Sequence, residues 1–280
     1  MLPRCLNSVK EADEIIVVDT GSDDDTCKIV REMKLPNLIL SEGEYKWNDH
    51  FAEARNFVKN KTSGDWVLSI DADNYLEEGG IEKIRSYIEK AEKEKADSVE
   101  YTVLSVPYNH THKLPWIFKK SCNWKYRVHN VLEHKKRITS GITVYAEYSP
   151  AHKKDPDRAL RILKKQLEEY PGDPRTLYYL AREYYYRKEY DTAIDMFKQC
   201  VDRSFFDAEK ADACLYIAKM LWWTKKGPQA RTYCLKAMGI NPHFKEAFLL
   251  MADMSWPENA VVWKKAAEAC DNRNVLFVRV

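Results

Sequence analysis

The chain has 280 residues, 45% of them hydrophobic, and a formal net charge of +2. That length suits about two domains of ~100–200 residues each, and the apolar content excludes a disordered chain. The charge balance names no partner, and no apolar run approaches the ~20 residues of a membrane span.

Residues 1–14, MLPRCLNSVKEADE, carry no apolar core of the signal-peptide type. EIIVVDT (14–20) is a short run rich in β-branched residues and predicts a strand. Gly21-Ser22 breaks it, and DDDTCKIVREM follows with helical spacing, its acidic residues suited to a helix's positive end. NLILSE (37–42) predicts the next strand. DHFAEARNFVKNK (49–61) predicts a helix with Phe51, Ala54 and Val58 on one stripe. DWVLSI (65–70) is a third strand, GGIEKIRSYIEKAEKEK (79–95) an amphipathic helix, and DSVEYTVLSV (97–106) a strand again. Strands alternating with helices imply a parallel-type α/β sheet, in which ligands bind beyond the carboxyl ends of strands. Asp19 and Asp71 both stand at such ends, so the two acidic clusters are expected to line one crevice.

Residues 153–280 read as helical throughout and repeat. Ala159, Leu163 and Pro171 recur 34 positions on as Ala193, Phe197 and Phe205, and 37 further on as Ala230, Cys234 and Pro242. Leu177, Leu180, Ala181 and Tyr184 precede Ala193 as Cys214, Ile217, Ala218 and Leu221 precede Ala230. Paired helices with small residues at close crossings resemble the tetratricopeptide pattern. It covers two full repeats, a leading half (157–171) and a degenerate third (245–271). The alternative is an irregular helical bundle. The expected division is 1–152 and 153–280, near the proline-bearing SPAHKKDPDR. Seven cysteines, scattered and without C-x-x-C spacing, predict neither a zinc cage nor a disulfide framework. They read as packed free thiols in a reducing compartment, which implies a cytoplasmic protein.

The third strand ends on Asp71-Ala72-Asp73. Two close carboxylates repel unless a cation or hydrogen-bond donors compensate. Mg²⁺ and Mn²⁺ favour oxygen ligands and bridge carboxylates to phosphates. D-A-D at a strand end therefore fits a divalent cation carrying a diphosphate. A lone D-x-D is more often a solvated loop, and context decides here. IIVVDTGSDDDT, then ARN, then WVLSIDADNYL, in that order, resemble the family-two glycosyltransferases of GT-A fold. YRVHNVLEH (126–134) resembles that family's R-x-H-E segment, and AEYSPAHKKD (146–155) its late histidine. A subgroup carries tetratricopeptide repeats after the catalytic domain.

The resemblance implies a GT-A-like α/β domain with a Rossmann-like mixed sheet, followed by an all-α repeat domain. It implies transfer of a sugar from a nucleotide-diphosphate sugar, a UDP-sugar, with Mn²⁺ or Mg²⁺ as cofactor. Asp19 would meet the nucleotide, with Gly21 and Ser22 in the turn beneath. Arg55 would assist nucleotide binding or brace the aspartates. Asp71 would hold the ribose or a metal-bound water, Asp73 would ligate the metal, and His152 would complete its shell or touch the diphosphate. A base must take the acceptor's proton; where the family offers a carboxylate stands Asn130, which accepts none, so His129 or Glu133 is expected instead. Each residue also has a plainer reading. Asp19 would cap the helix starting near Ser22, Arg55 would be a surface ion pair, His152 a solvated linker residue, and His129 a structural histidine on a strand with Arg127 and Val131. Asn74 stands where the family often has an acid. The family's leading strand, resembling MIVKNEE, has no counterpart before Met1, which predicts unpaired backbone beside EIIVVDT.

Residues 113–137 hold eight Lys/Arg against Glu133 alone, interleaved with Trp116, Phe118, Trp124 and Tyr126. Aromatics stack on sugars and cations attract phosphate, so Trp116, Lys120, Trp124 and Arg127 are expected on the acceptor side; the alternative is strands with a solvated basic face. The acceptor is read as a polypeptide, glycan or other polymer, held partly by the repeats, and nucleic acid is disfavoured by the near-neutral charge. Two rivals stand beside the transferase: a degenerate scaffold binding a protein through its repeats, and a nucleotidyl transferase, which would need a glycine-rich basic loop that the sequence lacks.

Overall fold

The computed structural model describes residues 1–107, 110–147, 155–271, 273 and 275–276. The β-branched run at Ile15–Val18 forms β1, which pairs in parallel with β2 (Leu38–Ser41), Ile15 opposite Leu38 and Val18 opposite Ser41. Between them lies α2 (Thr26–Glu32), after α1 (Leu2–Ser8). Asp23 and Asp24 precede α2 and Asp25 is its N-cap, so the first turn holds no acid. The predicted helix began three residues too early because acidic runs suit the approach to a helix as well as its first turn.

After α3 (Phe51–Lys61) come β3 (Trp66–Leu68), β4 (Asn74–Leu76), α4 (Gly80–Lys93), β5 (Ser98–Ser105), β6 (His110–Lys119), β7 (Asn123–Lys125), β8 (Val131–Glu133) and β9 (Arg137–Ala146). Five of these make one sheet in the order β3-β6-β5-β9-β4. Only β5 and β9 run parallel there; the other neighbours are antiparallel. The sheet is thus mixed, not parallel throughout. Direct reversals such as β5 into β6 give antiparallel neighbours, whereas only a crossover gives parallel ones. Among the described residues β1 has β2 on one edge and no strand on the other, and β3 is an edge of its sheet. This is where the family's leading strand was expected.

One core nevertheless spans these pieces. Leu6 of α1, Val9 just after it, Ile15, Val30, Leu76, Ile84, Val99, Tyr101, Ile117, Ile142 and Val144 belong to a single buried cluster. α4 contributes Ile81, Ile84 and Ala91, at helical spacing, and Gly80 at its start lies so close to Leu76 that a Cβ would collide with that side chain. A smaller cluster, Ala52, Phe118, Cys122, Trp124 and Leu132, joins α3 to the β7–β8 hairpin.

The chain divides into two compact units, the first ending at Pro156 and the second starting at Asp157. Asp157 belongs to the helical unit because its carbonyl accepts from Arg161 N (2.9 Å) and its carboxylate pairs with Arg187 (2.7 Å). That unit is α5 (Arg158–Glu169), α6 (Pro174–Tyr186), α7 (Tyr190–Arg203), α8 (Asp207–Trp223), α9 (Gly227–Ile240), α10 (Lys245–Asp253) and α11 (Pro257–Glu268). Ala181, Ala193, Ala218 and Ala230, the small residues that marked the repeat, are fully buried. They let helix axes approach closely. Asp173 caps α6 by accepting from Thr176 N (2.8 Å), and inside the stack Tyr178 donates to Asp212. All seven cysteines are free, five of them buried. No helix among the described residues is long and apolar enough to cross a membrane.

Candidate active site

The site is built on α3. Its predicted stripe, Phe51, Ala54 and Val58, is only half-buried, and the buried residues are Ala52 and Lys59. The helix is instead held by polar contacts to the hairpin lying beside it. Phe51 N donates to Arg127 O (2.8 Å), and His50 Nδ1 accepts from Glu53 N (3.1 Å) as N-cap. Asn56 grips the main chain of Trp124 twice, Nδ2 donating to its carbonyl (3.0 Å) and Oδ1 accepting from its N–H (2.9 Å). Lys59, 4% exposed, donates Nζ to Cys122 O (2.8 Å) and Asn123 Oδ1 (2.6 Å). Burial pushes its ammonium below the usual lysine range.

Arg55 reaches from the same helix to the acidic turn. Its Nη2 donates to Asp71 Oδ1 (2.7 Å) and its Nη1 to Ser69 Oγ (3.0 Å). The guanidinium lies over Trp116, 4.4 Å from the ring centre, and 5.2 Å from that of Trp124. With 16% of its side chain exposed, Arg55 is no surface ion pair; it braces Asp71, whose side chain is 42% exposed.

Asp71 and Asp73 share one turn. Asn74 N donates to Asp71 O (2.9 Å), and Asn74 itself is buried as the first residue of β4. Cys5 of α1 donates Sγ to Asp71 O (3.5 Å), and Glu147 N donates to Asp73 O (3.1 Å). Burial, then the charges of Asp71 and Asp73, push the Cys5 thiol up to about 12. That thiol is inert packing rather than a nucleophile. From below, Tyr101 OH donates to Ser69 O (3.3 Å). The turn is thus held from α1, β5 and the end of β9. Among the described residues no three His, Cys, Asp or Glu side chains converge as a metal-binding group.

At the end of β1, Asp19 N donates to Ser41 O (2.9 Å). Its carboxylate accepts from Gly21 N (3.2 Å) and Ser22 N (3.1 Å), with Gly21 at φ +108°, a conformation that suits glycine. Burial works against ionisation, but hydrogen bonds from Ser22 and Gly21 outweigh it and hold the carboxyl below the usual range. Asp19 therefore closes its own turn and does not cap α2, which starts only at Thr26. This turn connects to α3 through Trp47, whose N–H donates to Thr20 O (3.1 Å) and whose ring meets Phe51 edge-on at 4.7 Å. Contacts run from Asp19's turn through Trp47 and α3 to Arg55 and Asp71.

His129 lies in the loop Tyr126–Asn130 between β7 and β8, not on a strand with Arg127 and Val131. Tyr126 (φ +74°) and His129 (φ +51°) both take the left-handed conformation, and the Asn130 amide donates to Tyr126 O. Glu133 is exposed at the opposite end of β8, paired with Asn123. The hairpin runs along α3: Arg127, two residues before His129, accepts from Phe51 N, and Asn123, the strand partner of Glu133, accepts from Lys59 Nζ. Of the residues expected on the acceptor side, Trp124 is 4% exposed and Trp116 lies under Arg55. Lys120 donates to Thr62 O, and Arg127 Nη1 to Asn48 O and Asp49 O (3.3 Å each). All four have internal partners. His152 lies outside the described residues. Sequence reasoning missed Asn56 and Lys59, and it named Trp116 and Trp124 without their contact to Arg55. The one signal was polar residues at 55, 56 and 59 along a helix otherwise read by its apolar stripe.

The sequence profile of glycosyl transferase family 2 matches residues 1–146. The chain belongs to that family. A TPR repeat-containing protein of Synechococcus elongatus is 37% identical over 122 residues, covering 41% of this chain and 28% of that protein. The SPbeta prophage-derived glycosyltransferase SunS of Bacillus subtilis is 26% identical over 247 residues, covering 74% of this chain and 53% of SunS. The chain thus spans about a quarter to a half of the length of these relatives. A solved structure of S. aureus TarS residues 1–349 in complex with UDP aligns with 96% of this chain and 86% of that one, at 14% identity and a TM-score of 0.43.

Proposed function

We propose that the protein transfers a sugar from a nucleotide-diphosphate sugar, a UDP-sugar, to a polypeptide, glycan or other polymer acceptor held partly by the helical repeats. The observation that carries this is the pairing of Arg55 with Asp71 in a turn that ends a strand and presents Asp73 two residues on. Family membership and the kinship to SunS support glycosyl transfer.

Breaking the sugar–phosphate bond leaves negative charge on the departing diphosphate. Asp73, with Asp71 beside it, would hold Mn²⁺ or Mg²⁺, and His152 is the further candidate ligand. Two carboxylates fit such ions, which take their remaining ligands from water and substrate phosphates rather than from an all-protein cage. When bound, the ion supplies Lewis-acid neutralisation of the diphosphate. Arg55 holds Asp71 in place, and the Asp19–Ser22 turn receives the nucleoside. Removal of the acceptor's proton falls to His129 or Glu133. The left-handed backbone at His129 favours it, since such strain gathers at working positions.

The test is thermal unfolding with UDP and Mn²⁺ together. Ligand at a hundredfold its dissociation constant stabilises the folded state by about 2.7 kcal/mol. We expect a rise in melting temperature that Asp73→Asn removes, and release of UDP from one member of a nucleotide-sugar panel. A folded sample that shifts with no nucleoside diphosphate would favour the second reading, a scaffold without catalysis. That reading draws on the Asn130 amide, which stands where the family offers a carboxylate and is engaged with Tyr126 O.

A further inference from the structure

Arg55 presents an accounting problem. Its Nη atoms are spent on Asp71 and Ser69, yet its Nε is buried and meets no acceptor among the described residues. An unmet buried N–H on a cation is costly unless something else compensates the charge. The rings of Trp116 and Trp124 supply that compensation. They stand at 87° to each other with centroids 5.2 Å apart, so the guanidinium rests in the corner they form. Each tryptophan is anchored from a different direction. Trp116 belongs to β6, whose pairing with β3 continues where Ser69 N donates to Trp116 O (2.9 Å). Trp124 belongs to β7, is fixed to α3 by the two hydrogen bonds between its main chain and Asn56, and meets Phe118 edge-on at 5.5 Å.

We propose that Trp116 and Trp124 are positioning residues for the donor site: together they clamp Arg55 and so set where Asp71 presents its carboxylate. This rests on the nucleotide-sugar reading above and deepens it. An arginine has many rotamers, and a salt bridge alone would leave both partners free to swing into solvent. A flat guanidinium against two fixed ring faces has one pose, and Asp71 inherits it. The tryptophans then act on the nucleotide without touching it. The basic, aromatic stretch around 113–137 acquires a role inside the domain, distinct from acceptor contact.

A double-mutant cycle on the whole chain tests this, reading UDP affinity in the presence of Mn²⁺ by calorimetry and folding by melting temperature. Trp116→Leu is expected to weaken UDP binding by about tenfold, on the scale of one desolvated cation–π contact. Trp116→Phe, which keeps a ring, should recover most of that loss. In an Arg55→Ala background Trp116→Leu should have no further effect, which a merely structural role would not produce. Should Trp116→Leu fail to fold, Arg55→Lys tests the same point while leaving both tryptophans in place. It keeps the charge but loses the flat face, and the same tenfold loss is expected. Wild-type binding with unchanged affinity in Trp116→Leu, or in Arg55→Lys, overturns the proposal alone. Additive losses in the cycle overturn it as well. A wild-type chain that binds no nucleoside diphosphate overturns it together with the reading on which it rests.

Discussion

Lys59→Met removes a buried cation from the joint between α3 and the β7–β8 hairpin. Lys59 is 4% exposed and makes two hydrogen bonds, to Cys122 O (2.8 Å) and Asn123 Oδ1 (2.6 Å). Hydrogen bonds from a charged donor contribute about 1.5–3 kcal/mol each, so two amount to about 3–6 kcal/mol. Against this stands the cost of holding an ammonium out of water, several kcal/mol, which methionine does not incur. Methionine fills the space of the stem but leaves both acceptors short of a partner. The net expectation is destabilisation by about 2 kcal/mol, which for a unit of this size lowers the melting temperature by about 4–8 °C. pH separates the two opposing effects. The lysine's folded pKa lies below its ordinary 10.5 because burial penalises the charge. The unfolded chain therefore binds more protons between the folded value and 10.5, and wild-type stability rises with pH across that window. The gap between wild type and Lys59→Met should widen as pH rises toward 10.5. Calorimetric melts from pH 7 to 10.5 measure both effects. A variant as stable as wild type at pH 7, or a gap that narrows with rising pH, would refute the reasoning.

Two further outcomes follow from the structure. Tyr178→Phe should destabilise the helical unit by about 1–3 kcal/mol, because it leaves the 2%-exposed Asp212 without that hydroxyl; a thermal melt followed by circular dichroism within 0.5 kcal/mol of wild type would contradict this. For Asp19, hydrogen bonds from Ser22 and Gly21 depress the folded carboxyl below its ordinary 3.8. Its contribution is therefore present above 3.8 and lost as pH falls through the folded value. Asp19→Asn should flatten the acid limb of the stability curve, and urea midpoints between pH 2 and 6 would show whether it does.

The amino-acid pattern by itself determined what depends on neighbours in the chain. β1, β2 and β3 follow from short β-branched runs, α4 from its apolar spacing, and the repeats from small residues returning every 34 or 37 positions, because periodicity records which side of an element is apolar. It also placed Asp71 and Asp73 together at a strand end, since two residues of separation leave little freedom. The tertiary structure decided whatever depends on which faces meet. Strand direction in the five-stranded sheet depends on how each pair is connected, and nothing in the run Ser98–Ser105 states that β9 lies parallel beside it. Trp124 reads as an exposed stacking surface in sequence and is buried against Arg55, 69 positions away in the chain (124 − 55). Nothing in the run Phe51–Lys61 states that Lys59 is buried against partners at 122 and 123. Burial of a cation is decided by acceptors and ring faces arriving from distant segments, and those are contacts that no local period encodes.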